Sequence, residues 1–533
     1  MNCTAERIPY RQTGAFSKIA LDYIDLEETL KPFFVHLPII EGIKNAIAAR
    51  KNFATNREVL VQAIKKQYDG IDINDKVKNN IDSLLSADTF TITTAHQNNI
   101  FTGPLYFIYK IVHAIKLADS LKSRLPAYNF VPVFYIGSED ADLDELNHIH
   151  LGGEKLVWAT KQTGAVGRMK VDKELLDLLN IMEGQLLVLP HGNEIISLMK
   201  QFYRAGVSIQ QATFQFVNAL FEEYGLVVLI PDNPSLKRLM FPFFKEELLK
   251  QPAAGIIEIS ANKLEEAGYK VQATARQINL FYLKDDIRNR IEWKHSRFTV
   301  VDTSISFSEA EIIKELETYP ERFSPNVILR GLYEETILPN LAFIGGGGET
   351  AYWLQLKELF AYYKVPFPML ILRNSFLFIE KKWKEAISKL DFDTEDIFLP
   401  GQELLKRLVA RESKNQTTLN GSIDVLKELY ESFKKQANAI DTTLEKHVES
   451  LKSNAVYRLT ELEKKMLRAE KRKFSDQQRK ILSIKAHLFP GNGLQERNDN
   501  LSYYYARWGR EFIKLLYDNS LGLEQEFVIL TEK

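Results

Sequence analysis

The chain of 533 residues holds one cysteine, Cys3, so no internal disulfide can form. That fits a reducing compartment and argues against thiolate catalysis or a cysteine-rich zinc site. An excess of one charge is also missing, since 69 Lys and Arg face 70 Asp and Glu for a net charge of −1. No global field draws such a chain onto nucleic acid or an anionic membrane, and any basic site must be local. Long apolar runs are absent too: Phe367 to Leu372 is closed by Arg373, far short of the ~20 residues a membrane span needs. The first eleven residues mix Glu6, Arg7, Pro9 and Arg11 with no stretch of signal-peptide length, so they predict no export and an unstructured N-terminus. A soluble, cytoplasmic protein is expected, with no internal repeat and no low-complexity tract longer than the four glycines at 345–348.

Apolar residues make up 45% of the chain and aromatics 11%, ample for packed cores, and the length corresponds to about three structural units. Thr89 to Thr94, Val131 to Gly137, Leu226 to Ile230, Val327 to Leu329 and Met369 to Leu372 read as buried strands. Helical patterns lie between them, as in Pro104 to Leu121, where Leu105, Ile108, Ile111, Val112, Ile115 and Ala118 recur at three- and four-residue steps. This alternation predicts an α/β fold with a mostly parallel sheet covered on both faces, whose binding sites gather at the carboxyl ends of the strands.

From Ser422 to Phe489 there is neither Pro nor Gly, so helix can run unbroken. Ile423, Leu426, Tyr430, Phe433, Ala437, Ile440, Leu444, His447 and Leu451 form a heptad seam, which resumes through Leu459, Leu462, Met466 and Ala469 after a slip near Ala455. Its 68 residues would reach about 100 Å if straight, more than a globular core covers. The seam therefore serves either a long helix packed on its own domain or a protruding coiled-coil arm that dimerises the protein. Pro490-Gly491 ends it, and Asn500 to Leu516 with Glu526 to Leu530 read as a helix and strand returning to the core. The expected division is a core over 1–395, a helical arm over 396–490 and a returning segment over 491–533.

Three loops at expected strand ends carry the chemistry. In the first, Ala95 to Pro104, Pro104 suits a first helical turn and Thr102 a cap, so the amides near Gly103 could hold an anion. A plain capped turn, with His96 and Gln97 satisfying backbone groups, explains it as well. The His-x-Gly-His pattern of class I nucleotidyl transferases is missing there. The second loop crowds five carboxylates, Glu139, Asp140, Asp142, Asp144 and Glu145, into seven positions. Mutual repulsion there predicts raised pKa values, a general base or capture of an ammonium group, although Asp144 and Glu145 also suit a helix start. An EF-hand is excluded, because Glu145 and Leu151 stand where Gly and Glu are required. The third loop, Ile344 to Trp353, reads as strand, glycine turn and helix. It lacks the Lys of a P-loop and the spacing of a dinucleotide fingerprint. A tight strand-to-helix turn accounts for its glycines; Glu349, Tyr352 and Trp353 suggest a pocket wall for a polyol or amine.

Taken in order, these residues resemble the bacillithiol biosynthesis cysteine-adding enzymes (BshC). The resemblance runs through Phe101-Thr102-Gly103-Pro104-Leu105-Tyr106, Lys110, Val131-Pro132-Val133-Phe134, Glu139-Asp140-Ala141-Asp142, Asp144-Glu145 and Asn147-His148. It continues through Ser324-Pro325-Asn326-Val327, Leu329-Arg330, Leu338-Pro339, Gly345-Gly346, Gly348-Glu349, Tyr352-Trp353 and Gly493-Leu494-Gln495-Glu496-Arg497. Each motif is weak alone; spread over about four hundred residues they are strong together. The chain departs from the family pattern at Ala95-His96-Gln97-Asn98, where Gly-Gln-Gln is common, and at Gly331 and Gly347, where Pro is common. Glu334 replaces a frequent Gln and changes charge.

The resemblance implies a Rossmann-like core with inserted connective segments, a dimerising coiled coil, and the last step of bacillithiol formation, in which the carboxyl of cysteine is joined to the amine of glucosaminyl-malate. For that chemistry Glu139 or Asp140 is expected at the glucosamine ammonium, with Asp142 in support. Thr102, Gly103, Lys110 and Arg330 are candidates for the malate carboxylates. Gln97, Pro104, Tyr106, Asn147, His148, Gly346, Gly347, Gly348, Glu349, Tyr352 and Trp353 complete the expected substrate-binding set. Amide formation requires an activated carboxylate, so ATP or another nucleotide is reasonable, although no residue identifies it; no metal ligands are expected. Nucleotidyl transfer on a similar core and a non-catalytic coiled-coil scaffold are the alternatives.

Overall fold

A computed structural model describes residues 1–413, 415 and 418–533. Residues 414, 416 and 417, within the expected arm, lie outside the described residues. The chain divides into two compact units, Met1–Phe378 with Gly493–Lys533, and Ile379–Asn492. The first boundary falls before the expected 395 because helix Lys381–Ser388 packs on the later helix Ser475–Leu488.

In the first unit, β1 (Thr89–Gln97), β2 (Asn129–Gly137), β3 (Val227–Leu229), β4 (Asn340–Gly345) and β5 (Met369–Leu372) form a parallel sheet in the order β5-β4-β1-β2-β3. Every residue of β3, β4 and β5 is buried, as expected where helices cover both faces. The threonines of β1 are tolerated there because they are bonded: Thr91 and Thr93 hydroxyls donate to Asn340 Oδ1 at 3.2 and 2.8 Å. The chain winds from β1 toward β3 on one side and from β4 to β5 on the other. The order thus reverses between β1 and β4, and a crevice opens at their carboxyl ends.

Helix α1 (Tyr106–Arg124) carries the expected apolar stripe, Ile108, Ile111, Val112, Ile115 and Ala118, all buried. The expected strand at Val327 to Leu329 is instead the first turn of helix α2 (Val327–Ile337). Asn326 decides this, its side chain accepting from the amides of Ile328 and Leu329, a cap that outweighs the β-propensity of one short apolar run. Helix α3 (Gly347–Trp353) follows β4 through the glycine turn.

The N-terminus is not unstructured: Cys3–Ile8 pairs antiparallel with Phe527–Glu532, which returns from the C-terminal end beside Phe376–Ile379. A second five-stranded sheet, absent from the sequence reading, spans Leu280–Lys284, Ile287–Lys294, Arg297–Val300, Ser306–Phe307 and Phe323–Pro325.

In the second unit the unbroken helix expected over 422–489 is three helices, α4 (Asn420–Ile440), α5 (Leu444–Lys473) and α6 (Ser475–Leu488). No Pro or Gly makes the first break. Asp441 leaves the helix at φ −154° and ψ 121°, and its carboxylate accepts from the amide and hydroxyl of Thr443 at 2.8 Å. This local bonding competes with helix continuation. Helices α4 and α5 lie antiparallel, joined by Lys452 to Glu431 at 2.6 Å and Lys434 to Glu445 at 3.1 Å, so the heptad seam folds back on itself. No helix among the described residues is long and apolar enough to cross a membrane.

Candidate functional site

A cavity of about 1200 Å³ lies at the carboxyl ends of β1 and β4. β1 delivers His96 and Gln97, β2 delivers Gly137 followed by Asp140, and β4 leads into Gly346, Gly347, Gly348 and Glu349. Tyr106 and Lys110 enter from α1, Arg330 and Glu334 from α2, and Tyr352 and Trp353 from α3. Gly331 matters here because a Cβ at that position would stand 2.8 Å from the Trp353 ring, so α2 reaches the indole only without a side chain.

The charged groups are cross-linked. Buried Lys110 pairs with Glu349 and donates to Ala95 O at 2.9 Å and His96 Nδ1 at 3.3 Å, which leaves the His96 hydrogen on Nε2. That Nε2 is buried and has no hydrogen-bond partner among the described residues. Burial, with Lys110 and Arg373 nearby, holds His96 well below the usual imidazole range, so it is neutral. Glu349 also accepts from the Gly346 amide at 2.8 Å, closing the glycine turn. Gln97 Nε2 donates to Asp140 at 2.9 Å and to Glu145 at 3.2 Å, and Arg330 donates to Asp140 at 3.3 Å.

Asp140 corrects the expectation of a raised carboxyl. Burial is the largest single influence and pushes it up, but Arg330, Arg288, the Gln97 side chain and the Ala141 amide outweigh it and bring it down to about 2. Such a carboxylate is a charge partner and a poor base at neutral pH. Crowding is relieved because the carboxylates of this loop point in different directions. Glu139 is buried against Lys237, which also neighbours Asp232 at 3.8 Å, and it does not line the cavity. Asp142 is exposed and caps the short helix Leu143–Leu146 through the Glu145 amide. A raised carboxyl does line the cavity, but it is Glu334, driven well above the usual range by burial and by its neighbours Glu335 and Glu349.

The helix-start anion site is also corrected. Thr102, Gly103 and Pro104 do not line the cavity, because the chain fills the place itself. Leu105 N donates to Asp499 O at 2.8 Å and Gly103 N to Ile100 O at 2.9 Å, while Asn500 Nδ2 donates to the carbonyls of Phe101 and Gly103. Asn147 and His148 likewise lie away, at the start of the hairpin His148–Leu151 and Glu154–Val157.

Four arginines not among the expected residues line the cavity: Arg276, Arg288, Arg373 and Arg497. Arg288 comes from the unexpected antiparallel sheet, stacks 4.0 Å from the Phe281 ring centroid and donates to Ser324 Oγ at 3.1 Å. Burial lowers it to about 10. Arg373 pairs with Glu496 at 2.6 Å, and Arg497 donates to Ala15 O at 3.0 Å. Both had a sequence signal, Arg373 directly behind an apolar strand and Arg497 within the quoted Gly493 to Arg497 motif. Arg276 and Arg288 had none. No group of three or more His, Cys, Asp or Glu suited to a metal ion occurs among the described residues.

Comparison with known proteins agrees with this architecture. Residues 1–374 match the family model for the bacillithiol biosynthesis BshC N-terminal Rossmann-like domain, and residues 376–532 that for its C-terminal coiled-coil domain. A protein of Flavobacterium johnsoniae named "Putative cysteine ligase BshC" is 39% identical over 526 residues, covering 98% of this chain and 99% of its own. A relative of the same name from Flavobacterium psychrophilum is 40% identical over 526 residues, covering 98% of each chain. One from Salinibacter ruber is 27% identical over 524 residues, covering 95% of this chain and 94% of its own. The chain belongs to the BshC family of bacillithiol-biosynthesis enzymes.

Proposed function

We propose that this enzyme is a cytoplasmic ligase that joins the carboxyl of cysteine to the amine of glucosaminyl-malate, the last step of bacillithiol formation. The observation that carries the reading is the charge of the cavity at the β1/β4 reversal. Lys110 and five arginines line it against Asp140, Glu145 and Glu349, with Glu334 held neutral. Lys110 and Arg330 are answered by Glu349 and Asp140, and Arg373 by Glu496, whereas Arg276, Arg288 and Arg497 make no ion pair among the described residues. Such a surplus suits a ligand with two carboxylates, and the arginine fork suits each carboxylate. Gln97, Glu145 and Tyr106 are among the polar lining residues available to the sugar and its amine.

The carboxyl oxygen lost from cysteine needs a better leaving group than hydroxide, so an activating nucleotide belongs to the proposal. Of the three unpaired arginines, the one beyond the two that answer the malate carboxylates is left for its phosphates. A homodimer through the helical hairpin belongs to it as well, because Val425, Leu429, Phe433, Ile440, Leu451 and Leu462 remain exposed after α4 and α5 have packed.

Incubation of the purified protein with cysteine, glucosaminyl-malate and ATP tests the reading, with the thiol product trapped and identified by mass. Bacillithiol is the expected product. Pyrophosphate release without a thiol product would favour nucleotidyl transfer instead, and no turnover at all would contradict the ligase assignment.

A further inference from the structure

Two adjacent carboxyls on α2 have opposite surroundings. Glu335 points into the protein, paired with Arg50 and accepting from Asn340 Nδ2 at 2.6 Å. Glu334 lines the cavity, is 1% exposed, and its Oε1 has no hydrogen-bond partner among the described residues. A buried polar atom left without a partner is costly and uncommon, and beside a polar cavity the missing partner is a ligand atom. We propose that Glu334 contacts the substrate, donating a hydrogen bond from its carboxyl to a carboxylate oxygen of glucosaminyl-malate. This contact rests on the ligase reading above.

The charges around Glu334 favour a donor. Glu335 and Arg330 neighbour it on its own helix, Glu349 and Tyr352 on α3, Lys110 on α1 and Tyr135 on β2. Burial, then Glu335 and Glu349, keep the proton on Glu334 against the pull of Arg330 and Lys110. Neither cation is free to act as its counter-charge, since Arg330 is turned to Asp140 and Lys110 to Glu349. A neutral carboxyl presents one donor and one acceptor, the pattern of a carboxamide, so Gln can reproduce the contact and Leu cannot. Deprotonation would set a bare negative charge against an anionic ligand. Over the range in which the ligand's own carboxylates are ionised, binding should therefore weaken as pH rises through the Glu334 titration.

Calorimetric titration of glucosaminyl-malate into wild type, Glu334→Gln and Glu334→Leu, from acid to alkaline pH, tests the contact. Wild-type affinity is expected to fall by about tenfold or more as pH rises, the size of one hydrogen bond to a charged group. Glu334→Gln should keep the low-pH affinity and lose that pH dependence, and Glu334→Leu should bind about tenfold more weakly at every pH. Identical pH profiles for wild type and Glu334→Gln, or undiminished binding by Glu334→Leu, would overturn the contact alone. Absence of wild-type binding at any pH would overturn the ligase reading and the contact with it. If Glu334→Leu does not fold, the Gln comparison decides.

Discussion

Asp140 and Glu334 both belong to carboxylate-rich surroundings, yet the structure drives them in opposite directions. Asp140 lies among arginines and falls to about 2, whereas Glu334 lies among buried acids and rises. A carboxyl held below its unfolded value stabilises the fold above that unfolded value, and the contribution is lost as pH falls toward the folded one. Wild type should therefore lose on the order of 2 kcal/mol of stability through this group as pH falls from about 4 to about 2. Asp140→Asn should lack that portion of the acid dependence, read from urea unfolding at a series of pH values; equal acid dependence in the two proteins would remove Asp140 from the arginine pairing. At Gly103 the backbone has φ +58° and an added Cβ would meet Asn99 Cβ at 2.7 Å. Gly103→Val should accordingly cost about 2 kcal/mol or more in urea unfolding, with ligand affinity of the folded protein unchanged. A folded variant that loses only malate binding would restore the anion site to that turn.

Among the elements, the helical hairpin shows how a few side chains override a pattern. The heptad seam was legible over 423–469, and its apolar positions do lie on helix, but Asp441 and Thr443 fold the run back so that one part of the seam meets the other. Leu426 and Tyr430 become half-buried inside the hairpin, while Ile440 stays 84% exposed and Leu444 39%. These two residues bracket the turn. If the exposed face joins a second copy, Ile440→Asp with Leu444→Asp should convert a dimer to a monomer in light scattering without changing helix content. A wild-type monomer, or a dimer untouched by the pair, would contradict a hairpin-mediated interface.

On the scale of the whole molecule, the parallel sheet was legible because buried parallel strands advertise themselves as short β-branched or apolar runs, as in Thr89 to Thr94 and Met369 to Leu372. The antiparallel sheet was not, since Ile287–Lys294 carries charges at alternate positions and is only half buried. Its contribution to the cavity, Arg288, was therefore invisible, as was Arg276. Gln97, Tyr106, Lys110, Asp140, Gly346 to Gly348, Glu349, Tyr352 and Trp353 were legible as lining residues because each follows a recognisable strand end or lies on a helix leaving one, whereas Arg330 reaches the cavity from α2, where a strand was expected. Glu139 and Asp142 follow the same strand but turn to Lys237 and to a helix cap, directions that spacing does not encode. The central claim is that this cavity, with its unpaired arginines, is where the ligase substrate binds. The most direct measurement is bacillithiol formation by wild type and Arg288→Gln under identical conditions, with thermal midpoints recorded for both. The account predicts a loss of about 10- to 100-fold in kcat/KM in a variant that stays folded at the assay temperature, the value of one charged hydrogen bond to the ligand. Equal turnover by the two proteins would contradict it.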